Sequence, residues 1–588
     1  MMRQKQHRGY CVEAATSSIL TWRVNMQITR LFSRALSVFI LLAMIGAALP
    51  GSARAAATIT VNSAADTLGT DGYCTLREAI TNANNNVGYY PDCMAGSGND
   101  TIVFASSLGT ATITLTSALP NITDSAGLTI DGSNRITLSG NDSVRVLYVY
   151  SGASLSLQNI SVTHGKSDSG GGLYSLGASN VTIANSIFAK NNATNSGGAV
   201  LNNAGTITIA HSTFRDNGAG TNAGGVLNIS GTLVIANSTF ANNSASSAGG
   251  GVENNSSTAI ILNSTFSGNS AASMGGALSI WRGNTMVPTT TLRNTILANS
   301  ASGGDCWNDT ADSAVLTGGN NIIETTTSCS SVATLTSDPK LGSLTGSPAY
   351  FPLLAGSPAI SAGNDDTCAA VPVSNTSQNG IRRPQGAHCE IGSYEAPLGH
   401  IFLSDGTADG WVLESSETSN AGGTLSSAGL AIRLGDDAAK KQYRSILSFN
   451  TGPSLPDTAV ITKAALRVKQ AGISGPGIPL TIFQGFKADV KNGFFGTAAT
   501  LEIADFQAAG NGTYGPFSPT LSGGWYSIDL TGAKAYINRL ATNGGLTQIR
   551  LRFKLDDNND TVANFLSLSS GNAASANRPQ LVITYYVP

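Results

Sequence analysis

A phenylalanine that returns every 26 residues, glycines that return at the same interval, and the lack of any helical period predict an all-β chain. The fold class expected is a right-handed parallel β-helix of 26-residue coils, followed by a β-sandwich. Composition agrees. Charged residues are only 12% of the 588, about half the usual share, and glycine occurs 67 times, which disfavours a helical bundle or coiled coil. Hydrophobic residues at 41% are enough for a sizeable core. The net charge of −2 argues against a nucleic-acid binder, which would show a basic excess.

The first element is a leader, residues 1–55. Arg30 and Arg34 precede an apolar run from Ala35 to Leu49, and Ala53-Arg54-Ala55 reads as an A-x-A cleavage site. Met26 is an alternative start. The run is short for a membrane span and is followed by small residues rather than a charged stop. A secretory signal peptide is therefore expected, with no transmembrane span after its removal and an extracellular, secreted or cell-surface location. Cleavage would leave 26 basic and 34 acidic residues. The remaining six cysteines fall in three close pairs: Cys74 with Cys93, Cys306 with Cys329, and Cys368 with Cys389. Six cysteines allow fifteen connectivities, and local closure is the simplest.

Residues 56–125 read as an N-terminal cap. Thr75 and Glu78 form a T-x-x-E capping box, and Leu76, Ala79, Ile80 and Ala83 share one face of the helix it opens. Such a helix can cover the exposed strand edges of a first coil. The stretch Tyr73-Cys74-Thr75-Leu76-Arg77-Glu78-Ala79-Ile80 resembles the CSLREA motif, with Thr75 in the serine position. That resemblance implies the N-terminal end of a secreted β-helix protein.

Residues 126–336 carry the repeat. Val162, Phe188, Phe214, Phe240 and Phe266 form one column; Leu157, Ile183, Ile209, Ile235 and Ile261 form a second. Gly172, Gly198, Gly224, Gly250 and Gly276 form a third, and Tyr174, Val200, Val226, Val252 and Leu278 a fourth. Asn159, Asn185, His211, Asn237 and Asn263 make one polar column; Asn191, Asn217, Asn243 and Asn269 make another. Within a repeat, runs such as Val181-Thr182-Ile183 alternate as strands do. One such unit cannot bury a core, but stacked copies place identical side chains above one another at about 4.8 Å. Apolar columns then become core, and asparagines bond along the stack at the turns. The recurrent Phe-x-x-Asn at 188–191, 214–217, 240–243 and 266–269, each followed by Gly-Gly-Ala or Gly-Gly-Val, resembles the repeats of chlamydial polymorphic outer-membrane proteins and related bacterial surface β-helices.

Residues 337–397 lose the period and are expected to cap the C-terminal end. Pro352–Ile360, Arg383-Pro384-Gln385-Gly386 and Cys389–Glu395 resemble the choice-of-anchor Q region that ends many such proteins. Residues 398–588 gain aromatic and charged residues. Runs at 445–449, 464–468, 480–483, 526–530, 548–553 and 580–585 alternate like half-buried strands, which fits one sandwich. The pieces Asp409–Val412, Leu434–Asp437, Tyr443–Phe449, Ile461–Val468 and Arg578–Tyr586 are similar to DNRLRE-type domains, which belong with carbohydrate-binding modules. The resemblance implies a jelly-roll-like form for the sandwich and an extracellular polysaccharide or cell-surface glycan as partner.

The residues themselves offer Trp411, Tyr514 and Trp525 for stacking on sugar rings, although Trp525 opens a strand and reads better as core. Asp556, Asp557 and Asp560 lie in an oxygen-rich run suited to Ca²⁺, the possible cofactor; it lacks EF-hand spacing and also reads as a solvated turn. Catalysis needs paired acid and base groups. Between Gly170 and Gly304 the charged residues are Lys190, Arg215, Asp216, Glu253, Arg282 and Arg293. Register places Asp216 and Glu253 on different sides, and His164 and His211 in different columns. No catalytic residue is assigned. The reading is a noncatalytic adhesion or matrix protein; an extracellular polysaccharide lyase or glycoside hydrolase with a carbohydrate-binding module is the alternative.

Overall fold

The computed structural model describes residues 56–588 except Ala178, Thr285 and Thr327; the expected leader with its Ala53-Arg54-Ala55 site lies outside the described residues. The helix spans Leu76–Asn85, capped by Thr75 and Glu78 in a reciprocal capping box. Leu76, Ala79, Ile80 and Ala83 are fully buried and join Ile59, Val61 and Ile102 at the head of the core. Cys74–Cys93 ties the helix entry to the loop beyond it.

The coils pair in register into three parallel sheets along the stack. Phe188, Phe214, Phe240 and Phe266 lie one above another, with ring centroids 4.5–5.0 Å apart and planes within 8°. All four are fully buried, as the 26-residue spacing predicts. The column of Ile183, Ile209, Ile235 and Ile261 holds likewise. Two columns are corrected at their first member, and in the glycine column Gly171, not Gly172, stands against Gly198. Val200 pairs with Leu173, not Tyr174, and Tyr174 pairs with Leu201. An extra residue bulges the turn between Ala193 and Ser196, so this one step is 27 residues. A longer insertion after Trp281 makes Leu297, 31 positions on, the partner of Phe266.

The two polar columns work differently. Asn159, Asn185, His211, Asn237 and Asn263 all have φ between 45° and 53°, a left-handed corner that asparagine tolerates best among residues with a Cβ. Asn191, Asn217, Asn243 and Asn269 form a buried ladder. Each Nδ2 donates to the next Oδ1 (2.8–3.1 Å), and each backbone N–H donates there too. A second ladder, Asn202 to Asn228 to Asn254, runs inside the seven-stranded sheet.

Residues 337–397, expected as an end cap, instead run back along the flank of the stack as a strap. Thr213 Oγ1 donates to Ala349 O, Thr239 Oγ1 to Gln378 Oε1, and Ser393 N to Thr265 Oγ1. The reason is apolar surface left outside the coils: Val373 covers Ala236 and Leu262, while Ala359 and Ile391 cover Ile296, Ala298 and Ile322. Buried Arg383 pins the strap, donating to Glu395 Oε2 and to the carbonyls of Thr376, Glu390 and Gly392. Burial, with Glu395 beside it, pushes Glu390 up to about 9. Cys368–Cys389 closes the strap's loop, and Cys306–Cys329 closes the last coils.

Residues 398–588 form twelve antiparallel strands. The expected sandwich is one continuous sheet curled over its core. Val460–Ser474 pairs with Gln580–Tyr586 and Trp525–Asp529 through its first half, then with Asn564–Ser569 through its second. The bulge between Gln470 and Gly472 turns the strand from one layer to the other. Leu466, Val468, Phe449, Phe486, Leu551 and Leu581 meet in the core. The segment 480–483 is corrected: Pro479–Ile482 is a short helical turn, because Pro479 fixes its first position and Gly475 and Gly477 interrupt the extended chain. Gln385 exchanges two hydrogen bonds with the backbone of Val587, joining this region to the strap.

Candidate functional site

Alternation along four strands sorts their side chains. Leu466, Val468, Ile528, Leu581 and Ile583 turn into the core. Their neighbours face out, and pairing aligns them in rows: Leu403, Gln580, Arg467 and Ser527 in one, Ile401, Val582, Ala465 and Asp529 in the next, with Lys469 opposite Trp525. Trp525 is half-buried on this outer face, not in the core. The Arg467 guanidinium lies 5.1 Å from its ring centroid and Lys469 Nζ 5.9 Å. Arg467 donates to Gln580 Oε1 (3.0 Å) and Lys469 to Asn577 Oδ1 (2.8 Å). Among the described residues neither cation has a carboxylate in salt-bridge range. The Asp529 carboxylate is held low, first by the Thr531 hydroxyl and backbone N–H, with Lys463 adding a little. A ring edged by unpaired cations on an open sheet offers an apolar surface and charged donors side by side.

Trp411 lies elsewhere. It meets Tyr443 edge-on at 5.1 Å, and Arg433 sits 4.9–5.6 Å from the rings of Trp411, Tyr443 and Phe565. Tyr514 packs against the core; burial, with Tyr536 nearby, pushes its phenol up. No ring contact joins any two of Trp411, Tyr514 and Trp525 among the described residues, so the three do not make one platform. Sequence reasoning missed Arg467 and Lys469. Their two-residue spacing on an alternating strand was the available signal.

The run containing Asp556, Asp557 and Asp560 is a turn that caps itself. Asp557 Oδ1 accepts from Asn559 N, Asp560 Oδ1 from Val562 N, and Asp560 Oδ2 from Asn558 Nδ2. Among the described residues no three His, Cys, Asp or Glu side chains group as a metal site.

On the solenoid, Asp216 sits at a left-handed corner, paired to Arg215 at 2.6 Å. Glu253 lies in the seven-stranded sheet, above Leu227 and wholly buried. Its Oε1 accepts from Asn222 and Asn255, while Oε2 has no hydrogen-bond partner among the described residues. Burial pushes it up to about 7 against those two donors. One carboxylate thus sits at a corner and the other inside a sheet, and neither is bonded or ion-paired to the other. His164 and His211 occupy separate left-handed corners.

No curated protein matches the chain. Residues 121–301 match the family model described as a right handed beta helix region, and this central part of the chain is therefore a right-handed β-helix.

Proposed function

We propose that this is a secreted or cell-surface β-helix protein that holds extracellular polysaccharide through residues 398–588, in a noncatalytic adhesion or matrix role. The observation that carries the reading is Trp525, displayed on an open sheet face beside unpaired Arg467 and Lys469. The sugar-ring face is apolar and stacks on indole, and guanidinium or ammonium groups serve hydroxyls and carboxylates at its edge. Three disulfides suit an oxidising compartment. The solenoid acts as a rigid support, since Asp216, at a corner and paired to Arg215, and Glu253, buried in a sheet, lie apart and cannot share acid–base work.

The test is a glycan array probed with the whole chain and with Trp525→Ala. Trp525 is half-buried on the surface, so the variant should fold, and retention of glycan should drop at least tenfold. Equal retention by both proteins would refute the assignment. A lyase or glycoside hydrolase remains the second reading, favoured by one observation: the buried Glu253 with a free carboxylate oxygen. Release of reducing ends or unsaturated uronate from pectin, alginate or glucuronan, abolished in Glu253→Gln, would establish it instead.

A further inference from the structure

Where the strap crosses the coils it leaves an open cleft of about 570 Å³, a volume in the range of small-ligand sites. One wall is the left-handed corner column, represented by Asn185 and His211; the other is the strap, with Ser374, Asn375, Thr376 and Arg382. Two separate depressions adjoin it, one sharing Asn185 and reaching Asn159 and Pro348, the other sharing Asn375 and Arg382 and reaching Gln385. Its floor is fixed. The Thr376 hydroxyl donates to Val373 O and accepts from Asn237 Nδ2 (3.1 Å), and it meets His211 Nε2 at 2.9 Å. Burial, and then Arg383 behind it, hold the His211 imidazole below its ordinary range, so it stays neutral at pH 7.

The rim is different. The side chains of Asn185, Ser374 and Asn375 make no hydrogen bond among the described residues, and the Arg382 guanidinium has no partner. No Asp or Glu side chain lines the cleft. Free amides and a hydroxyl suit a ligand rich in hydroxyls, each of which both donates and accepts. One unpaired guanidinium among neutral groups suits one carboxylate, which it can hold bidentately. From this we infer that the cleft between strap and solenoid is a second saccharide site, selective for a short oligomer of uronic acid, with Arg382 taking a carboxylate and Asn185 and Asn375 taking hydroxyls. The site is separate from the outer face around Trp525, and neither depends on the other.

The test is calorimetric titration of the Trp525→Ala full-length protein with trigalacturonate and with the neutral galactose trisaccharide. The Trp525→Ala background removes the proposed module site, so heat from trigalacturonate reports the cleft. The expected result is one site for trigalacturonate and at least tenfold weaker binding of the neutral trisaccharide. Adding Arg382→Ala should weaken trigalacturonate at least tenfold. Arg382 is exposed and unpaired, so its loss leaves the fold intact. Adding Asn185→Asp instead keeps a residue that tolerates the left-handed corner and sets a carboxylate against the ligand's; it should weaken trigalacturonate at least as much. Equal affinity for the two trisaccharides, no effect of Arg382→Ala, or no heat with either sugar would each overturn the inference.

Discussion

Replacing Asn243 by alanine tests whether the buried asparagine ladder holds the coils in register. Asn243 is wholly buried. Its Nδ2 donates to Phe214 O and Asn269 Oδ1, both at 2.9 Å, and its Oδ1 accepts from Asn217 N (3.2 Å) and Nδ2 (2.8 Å). Alanine keeps the backbone bond to Asn269 but strands the Asn217 backbone N–H and one Asn217 Nδ2 hydrogen where water cannot reach. Each buried orphan costs about 1–3 kcal/mol, so the loss should be about 2–6 kcal/mol. Asn192→Ala is the control. That side chain is exposed and makes a single 3.4 Å bond to Lys190 O, so its loss should stay within about 0.5 kcal/mol. Urea unfolding followed by circular dichroism compares the two. If Asn243→Ala lies within about 1 kcal/mol of Asn192→Ala, the ladder is decoration and the apolar columns alone set the register.

Glu253 makes stability depend on pH. Its folded value, about 7, lies above the ordinary 4.5, so its contribution is intact below pH 4.5 and is lost as pH rises through 7. Glu253→Gln should therefore leave the melting temperature at pH 4 unchanged and raise stability at pH 8, by up to about 3 kcal/mol; equal effects at both pH values would refute the assignment. Reduction of Cys368–Cys389, which closes a 21-residue separation, should release about 3 kcal/mol of chain constraint locally. Amide exchange should then speed up in residues 364–395 while the Phe188–Phe266 strands stay protected; uniform acceleration would show that strap and coils unfold as one unit.

The coils were legible because in a solenoid the spatial neighbour is also the residue one period away. Phe188 meets Phe214 in sequence arithmetic and in space alike. The arithmetic failed only where the chain broke its own period, at the bulge before Ser196 that moved Leu173 into the place expected for Tyr174. The strap was not legible. Thr376 reaches His211 across 165 positions with no repeat to announce it, and the outward apolar residues it covers, Leu262 and Ile296, differ in no pattern from inward ones. In the sandwich, alternation found most strands, but at 480–483 the run Leu480-Thr481-Ile482-Phe483 fitted a helical turn equally well, and Pro479 decided it. The candidate face was half legible. Trp525 was visible as an aromatic, whereas its placement beside Arg467 and Lys469 depends on which strand pairs with which.

The strap also measures. Its polar groups meet Thr213, Thr239 and Thr265 on three successive coils, each contact spaced by one coil's rise. Inserting or deleting one 26-residue unit beneath it would keep every internal column continuous, yet would shift Gln378 or Ser393 by about 4.8 Å from its threonine. Coil number under the strap is thus fixed by a segment outside the repeat. Gene duplication, which lengthens free solenoids readily, would have to alter strap and stack together to change the length of this one.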